Sequence, residues 1–326
     1  LHGPRGAAVL MDWPRAPEAP VPSGQLPYSQ VAHLAVDCRP FVAVGDYLLR
    51  QGLAAPRIFA RDIANGLLLL EDLGDGLYGP AIDAGRGPGG ETLDEMYRAA
   101  IDVLIALQTG ETPDSLPVGD GTSHEVPHFD DGILRAELDI LLDWYFPVVL
   151  KREASAALRD DYRAIWADLR PLIDAGPRTL FLRDFHSPNM LWLPGGRGAA
   201  RVGLIDFQDA LIGSRAYDVV SVLQDARKDV PVEREQAMLA LYVSRAKSDL
   251  ADFDEAEFRA SYATLGAERA LRLIGLWPRL MKRDNKPHYM AHMPRTTGYL
   301  RRNLAHPALE ALNAWLEANV LTSSSV

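Results

Sequence analysis

The stretch LFLRDFHSPN at residues 180–189, followed by VGLIDFQD at residues 202–209, decides the fold. Each segment opens with apolar residues that predict a short strand, and each places polar side chains where that strand ends. Asp184 ends the first apolar run, Asn189 follows five residues later, and Asp206 ends the second run. The pattern predicts that a carboxylate, an amide and a second carboxylate are gathered at one hairpin.

These three side chains suit the chemistry of phosphoryl transfer. A fixed Asp184 carboxylate could take the proton of an acceptor hydroxyl as its oxygen attacks phosphorus, which makes it the candidate catalytic residue. Asn189 and Asp206 offer hard oxygen ligands of the kind that Mg²⁺ prefers, with nucleotide phosphates and water as the remaining ligands. The spacing between Asp184 and Asn189 is also that of the kinase catalytic loop.

Two other interpretations of the same residues remain. The first is a plain β-hairpin with polar ends, in which residues 190–193 and 201–205 form strands joined by the glycine-rich residues 194–198. The second is a binuclear phosphoesterase, because the Asp184 and His186 pair could bind metal together. That chemistry requires further His-rich ligand runs, and neither a Gly-Asn-His nor a His-x-His segment occurs in the sequence.

The two segments resemble the H-G-D-x-x-x-x-N and I-D-[WF] motifs of the aminoglycoside phosphotransferase family, whose fold is related to the protein kinases. The resemblance implies an α+β, protein-kinase-like fold with two lobes. The N-lobe is small and rich in strands, with its start apparently incomplete, and the larger C-lobe is mainly helical and carries the catalytic hairpin. Leu182 and Arg183 stand where the family usually has His-Gly, so the role of the motif's His is not carried over.

The segment LLLLEDLG at residues 67–74 resembles the family's strand that leads into the hinge between the lobes, where backbone groups hold adenine. The resemblance implies cofactor-binding roles for Glu71, Asp72 and Leu73. It also implies a nucleotide-binding N-lobe over residues 1–74, without its upstream strands, and a C-lobe over residues 75–326 with the acceptor site.

One departure from the kinase pattern concerns the third strand of the N-lobe, which residues 7–11 resemble. A Lys that contacts the nucleotide phosphates is expected there, and residues 9–13 contain none. Nor can the usual Lys and Glu pair be assigned, because the helix predicted over residues 39–51 has Asp46 as its single acidic residue.

The remaining segments predict a mainly helical chain. Thr92 and Glu95 have the spacing of a capping box and predict the start of a long central helix that continues to Gln108. Helical periodicity also covers residues 133–145, 154–173, 216–227, 233–246, 255–276 and 307–317. The proline-rich residues 14–27 predict an extended connection, and residues 322–326 predict a disordered tail.

Four further segments narrow the resemblance: DCRPF at 37–41, DFQDA at 206–210, YDVVS at 217–221 and RDNKPHY at 283–289. They are similar to a bacterial branch of amino-sugar kinases whose members phosphorylate the anomeric hydroxyl of N-acetylmuramate and N-acetylglucosamine. The resemblance implies a phosphotransferase with ATP and Mg²⁺ as cofactors and a small-molecule sugar as acceptor.

Candidate substrate-binding residues surround Asp206 or carry positive charge. Gln208, Asp209 and Asp218 could exchange hydrogen bonds with sugar hydroxyls and an acetamido group, and Arg183 and Arg283 could meet a lactyl carboxylate. The alternative roles are a helix cap for Asp218 and surface charges for the two arginines.

Composition indicates an ordinary globular enzyme. The chain has 326 residues, of which 48% are hydrophobic, so it can bury a substantial core. Its net charge of −10 opposes binding to nucleic acid. The single cysteine, Cys38, cannot form an intrachain disulfide, which favours the cytoplasm. No apolar run approaches the roughly 18 residues needed to span a bilayer, so no membrane partner is expected.

Two functional alternatives stay open beside an amino-sugar kinase. The same fold could phosphorylate an aminoglycoside or another small alcohol, because an acidic pocket would attract a cationic acceptor. The chain could also be a catalytically silent scaffold that binds a nucleotide or a sugar; the absent third-strand Lys favours this, and the intact set at residues 184, 189 and 206 opposes it. The sequence decides neither the acceptor nor the oligomeric state.

Overall fold

A computed structural model describes residues 1–3, 6–13 and 27–321 of the chain. The predicted tail lies outside these residues, and so does the predicted extended connection except for Pro27. The chain divides into two compact units, the first formed by Leu1–Phe129 with Arg178–Ala251 and the second by Asp130–Pro177 with the residues from Asp252 on. The division into lobes at residues 74 and 75 stays a prediction.

Strands of the described residues all belong to the first unit. They are β1 (His2–Gly3), β2 (Gly6–Asp12), β3 (Ile58–Asp62), β4 (Leu67–Glu71), β5 (Ser115–Pro117), β6 (Ser123–Glu125), β7 (Arg178–Phe181), β8 (Met190–Trp192), β9 (Val202–Leu204) and β10 (Leu211–Ser214). The α-helices are α1 (Tyr28–Val31), α2 (Arg39–Arg50), α3 (Tyr78–Ala84), α4 (Leu93–Thr109), α5 (Asp131–Ile140), α6 (Phe146–Val148), α7 (Ala156–Ile173), α8 (Ala216–Leu223), α9 (Val232–Asp249), α10 (Glu255–Arg283), α11 (Met293–Leu304) and α12 (Glu310–Asn319).

An antiparallel four-stranded sheet, in the order β1-β2-β4-β3, opens the first unit. Val9 lies opposite Leu70 and Met11 opposite Leu68, so these side chains share one face because successive residues of a strand alternate between faces. Leu68 and Leu70 are buried, whereas Leu10, on the other face, is 50% exposed. The predicted strand at residues 7–11 is therefore confirmed.

The long central helix α4 begins at the predicted capping box. The Glu95 N–H donates to the Thr92 hydroxyl at 3.2 Å, and the Thr92 N–H donates to the Glu95 carboxylate at 2.7 Å. These reciprocal bonds satisfy two backbone donors at the helix start. Ile101 and Leu104 of this helix are fully buried in the core of the first unit.

Two short ladders position the ends of the apolar segments. In the β8–β9 hairpin, Met190 pairs with Leu204, which confirms the hairpin expected from the sequence. Strand β7 pairs antiparallel with β10. Asp184 follows β7 and Asp206 follows β9, while Asn189 directly precedes β8. The fold therefore brings these three positions toward one edge of the hairpin.

Helix boundaries differ from prediction where proline, glycine or polar residues obscure the pattern. Helices α3 and α11 were not predicted, because each contains both Pro and Gly. Helix α10 continues through Pro278 to Arg283, beyond the predicted end at 276, and α8 stops at Leu223, before the predicted end at 227. None of the helices in the described residues combines the length and apolar character needed to cross a bilayer.

The second unit contains buried acidic residues between α5 and α10. Glu137 and Glu268 are both 0% exposed, and Arg272 Nη1 lies 3.4 Å from Glu137 Oε1. Burial raises the pKa of Glu268 well above its ordinary value, and the charge of Glu137 raises it further, against the opposing effect of Arg272 and Arg269. The Glu268 carboxyl therefore holds its proton more tightly in the folded chain than in the unfolded one.

Glu268→Gln is expected to remove a pH dependence of stability. Because the folded pKa is raised, the stabilisation is complete below the unfolded pKa, about 4.5, and is lost as pH rises through the folded pKa. One such proton contributes a slope of at most about 1.4 kcal/mol per pH unit. Urea unfolding from pH 5 to pH 9 should show a shallower fall in stability for the variant than for the wild type. Glu317→Gln, at an exposed glutamate of α12, is the matched control, and equal slopes in wild type and Glu268→Gln would contradict this account.

Candidate active site

Asn189 links Asp184 and Asp206, the two other residues of the set that the sequence predicted. Its Nδ2 donates to the Asp184 backbone carbonyl at 3.0 Å and to Asp206 Oδ2 at 3.1 Å. Gln208 Nε2 donates to the other carboxylate oxygen of Asp206 at 2.7 Å. The structure thus brings Asp184, Asn189, Asp206 and Gln208 together in the first unit.

Two residues of this site have left-handed backbone conformations. Arg183 has φ +69° and Asp206 has φ +60°. A left-handed conformation costs a residue other than glycine roughly 1–2 kcal/mol and persists where the surroundings hold it. At Arg183 the conformation gives a physical reason for the Gly in the motif that this sequence resembles.

Asp218 of α8 holds this strained turn. The carboxylate, 1% exposed, accepts the Leu182 N–H at 2.5 Å and the Arg183 N–H at 3.1 Å. Both oxygens are buried against the backbone, which favours a structural role, and the substrate contact expected of Asp218 stays a prediction. The carboxylate fixes the loop that carries Asp184.

Asp225 also holds the catalytic loop through backbone N–H groups, a role that the sequence analysis missed. Its carboxylate, 2% exposed, accepts the Ser187 N–H at 2.9 Å and the Arg227 N–H at 2.8 Å. The sequence signal is weak, because a single acidic residue after a helix is ordinarily on the surface. Asp218 and Asp225 together fasten both ends of the loop from residue 182 to residue 187.

The Arg183 side chain is also buried and hydrogen-bonded within the protein. The residue is 3% exposed, and Nη1 donates to the Ala32 carbonyl at 2.8 Å. This burial disfavours the expected contact with a substrate carboxylate, which stays a prediction for Arg183.

Asp209 lies among the acidic residues of the site. Its Oδ1 accepts the Ala35 N–H at 2.6 Å. Burial is the largest effect on its carboxyl and raises its pKa, the charges of Asp184 and Asp206 raise it further, and Ala35 and Arg183 lower it. The net effect is a raised pKa for the Asp209 carboxyl.

A cavity of about 420 Å³ adjoins Asn189 and Asp206. The sheet contributes Val9, Met11, Leu70 and Glu71, and the chain after β4 contributes residues 72–74. The hairpin side contributes Asn189, Leu191, Ile205, Asp206 and Gln208. The positions predicted to bind the nucleotide therefore share a cavity with the positions predicted to bind the metal. None of the described residues that line it is a Lys or an Arg.

Glu71 contributes to this cavity with a side chain that already has a partner. Its carboxylate accepts from Arg57 Nε and Nη2, each at 2.9 Å, and these bonds lower its pKa. The Glu71 N–H donates to the Arg57 carbonyl at 2.8 Å. Adenine contacts at this position would therefore fall to the main chain of Asp72 and Leu73.

Packing of the Phe207 ring holds the neighbouring Asp206 in place. The ring stacks on Phe41 of α2 with centroids 4.8 Å apart. A Cβ at Gly45 would lie 3.2 Å from the Phe207 ring, so the glycine gives the ring room against the helix. This contact fixes Asp206 at the mouth of the cavity.

Asn189 and Asp206 suit a magnesium ion that takes most of its ligands from the nucleotide phosphates and water. Asp206 is exposed and Asn189 is partly exposed. The described residues contain no cluster of three or more His, Cys, Asp or Glu side chains that could hold a metal. Mg²⁺ in phosphoryl-transfer sites takes one or two protein oxygens and completes its shell with phosphates and water, so Asn189 and Asp206 fit that role.

Three other polar residues complete the description. His186 Nε2 lies 3.6 Å from Asp184 Oδ1, and Arg227 Nη1 lies 3.0 Å from the same Nε2. Arg283 belongs to the second unit, where its Nε donates to Asp284 at 2.7 Å. The expected substrate contact of Arg283 stays a prediction.

Comparison with known proteins gives consistent matches. The model of the phosphotransferase enzyme family matches residues 3–261. An N-acetylmuramate/N-acetylglucosamine kinase of Caulobacter vibrioides is 39% identical over 98% of this chain and 88% of its own length. A protein of the same name from Pseudomonas aeruginosa is 34% identical over 86% of this chain and 78% of its own length.

Solved structures share the fold. The GDP complex of aminoglycoside 2'-phosphotransferase-IIIa superposes with a TM-score of 0.51 at 15% identity, covering 86% of this chain and 84% of that protein. At this identity the likeness establishes the fold alone, and it confirms the expected α+β, kinase-like class.

Proposed function

The chain belongs to the phosphotransferase enzyme family, and on that basis we propose that it is an ATP-dependent kinase for the anomeric hydroxyl of N-acetylmuramate or N-acetylglucosamine. The observation that carries the proposal is the pair of bonds that Asn189 donates to the Asp184 backbone carbonyl and the Asp206 carboxylate, at 3.0 and 3.1 Å. They link the candidate base to the candidate metal ligand beside one cavity, as transfer between a nucleotide and an alcohol requires.

Asp184 would orient the acceptor hydroxyl and receive its proton. The acceptor oxygen then forms a bond to the γ-phosphorus as the bond from that phosphorus to the bridging oxygen breaks, and a nucleoside diphosphate leaves. Positioning and charge stabilisation supply most of the catalysis in such transfers. Because an anomeric hydroxyl is more acidic than an ordinary alcohol, a carboxylate of ordinary basicity suffices.

The 420 Å³ cavity would hold the nucleotide, with the main chain of Asp72 and Leu73 against adenine. Asn189 and Asp206 would hold Mg²⁺, which when bound neutralises charge on the phosphates. In a cavity whose described lining has no Lys or Arg, the metal would be the main positive charge at the phosphates.

The sugar assignment is supported by the names of the two bacterial relatives, which match this chain along most of its length. Gln208 and Asp209 are the remaining candidates for hydroxyl or acetamido contacts, because both lie beside Asp206. The aminoglycoside alternative is supported by likeness of fold alone.

We expect ADP release with ATP, Mg²⁺ and either N-acetylmuramate or N-acetylglucosamine, and a phosphorus NMR signal of an anomeric phosphate. The methyl glycoside of N-acetylglucosamine, whose anomeric oxygen is blocked, is the matched acceptor and should give no product. Turnover of kanamycin alone, or equal turnover of the methyl glycoside, would overturn the assignment. Nucleotide binding without turnover of any acceptor would indicate the silent scaffold.

A further inference from the structure

Arg227 is a partly buried cation whose charge the described residues do not pair. Its Nη1 lies 3.0 Å from His186 Nε2, and no carboxylate of the described residues lies within ion-pair distance of its guanidinium. Arg57 and Arg234 differ from Arg227, since each lies 2.9 Å from a carboxylate oxygen. A partly buried charge is costly unless a counter-charge meets it, so Arg227 points to an anionic ligand.

The fold places this cation beside Asp184. His186 Nε2 is 3.0 Å from Arg227 Nη1 and 3.6 Å from Asp184 Oδ1, so the guanidinium nitrogen and the carboxylate cannot be farther apart than the sum of these distances. Asp225 fixes the arrangement, because it accepts backbone N–H groups from both Ser187 and Arg227.

The cation lies outside the cavity assigned to the nucleotide. Neither His186 nor Arg227 lines the cavity assigned to the nucleotide, which is bordered by Asn189, Asp206 and Gln208. With Nη1 directed at His186, the edge formed by Nε and Nη2 has no partner among the described residues. That edge has the geometry of a two-point contact with a carboxylate.

We propose that Arg227 binds the carboxylate of the acceptor and determines preference for an acidic amino sugar. The inference rests on the proposed function. N-acetylmuramate differs from N-acetylglucosamine by a lactyl ether on the third carbon, and this group carries the carboxylate. The anomeric hydroxyl and that carboxylate are separated by about the width of one sugar ring, which suits Asp184 at one end and Arg227 at the other.

The sequence assigned a contact with the acceptor carboxylate to two other arginines. Arg183 is buried with Nη1 on the Ala32 carbonyl, and Arg283 pairs with Asp284. Sequence position alone could not single out Arg227, because its proximity to Asp184 depends on the return of the chain after α8 to the catalytic loop.

The test compares two acceptors in one variant. Arg227→Gln retains an amide donor for His186 Nε2 and removes the charge. The ratio of kcat/KM for N-acetylmuramate to that for N-acetylglucosamine should fall about 10- to 100-fold, mainly through KM for N-acetylmuramate, as loss of a charge-assisted contact predicts. Arg227→Lys, which keeps the charge without the planar fork, should retain part of the preference. Arg50→Gln, at an exposed arginine of α2, is the matched control and should leave the ratio unchanged.

An unchanged ratio in Arg227→Gln would overturn the inference, whether both activities persist or both fall equally. An equal fall would assign the guanidinium to the transferring phosphoryl group or to folding. If Arg227→Gln does not fold, the same ratio measured in Arg227→Lys decides, and a value identical to the wild type overturns the inference. A wild type that turns over neither sugar would instead refute the proposed function.

Discussion

Replacing Asp184 by alanine is expected to lower kcat about 10²- to 10⁴-fold, the range typical of a positioned general base. The carboxylate is the predicted proton acceptor, and the loop that carries it is fixed by bonds from Asn189 to the Asp184 backbone carbonyl and from backbone N–H groups to Asp218. Nucleotide affinity should change little, because Asp184 does not line the cavity at Asn189 and Asp206. Steady-state kinetics and nucleotide titration of the same protein separate the two effects.

Two variants sharpen this test. Asp184→Asn keeps the size of the side chain and removes its basicity, so it should lose almost as much turnover as the alanine variant. Asp161→Ala, at an exposed aspartate of α7, controls for loss of a carboxylate elsewhere and should match the wild type. Full activity in Asp184→Asn would remove Asp184 from the proton transfer.

Asp218→Ala should cost the first unit about 3–5 kcal/mol of unfolding free energy, because two charge-assisted bonds to buried amides are lost together. The Leu182 and Arg183 N–H groups would be left unpaired, and the left-handed turn at Arg183 would lose its support. We also expect kcat to fall, since that turn aims Asp184. Urea unfolding and kinetics check the two effects.

The conservative variant distinguishes this account from general damage. Asp218→Asn retains one carbonyl acceptor and presents an amide N–H₂ to the second backbone donor, so it should lose about half as much stability. A melting temperature for Asp218→Ala equal to the wild type would show that the loop does not depend on this carboxylate.

Residues 184, 189 and 206 could be predicted because their signal is local. Short apolar strands followed by fixed polar residues define the hairpin, and its register places Asn189 between the two aspartates. Helix α4 was predictable for the same reason, since Thr92 and Glu95 are three residues apart in sequence.

The supporting residues could not be predicted because their partners are distant along the chain. Asp218 reaches back to Leu182, and Asp225 reaches back to Ser187. From sequence alone a buried carboxylate that binds amides cannot be told from one that faces a substrate. The same limit applies to arginines. Burial and a backbone partner distinguish Arg183 from Arg227, and neither can be read from the sequence.

The first unit is discontinuous along the chain, with residues 130–177 of the second unit between its two parts. Ribosomes release a protein from its N-terminus, so the cavity-lining residues 70–74 emerge well before Asp184, Asn189 and Asp206. A nascent chain that stops before Ala251 lacks part of the catalytic unit, and it exposes apolar surface that the completed unit buries. Biosynthesis of this enzyme therefore includes an interval in which a partly completed unit is open to aggregation.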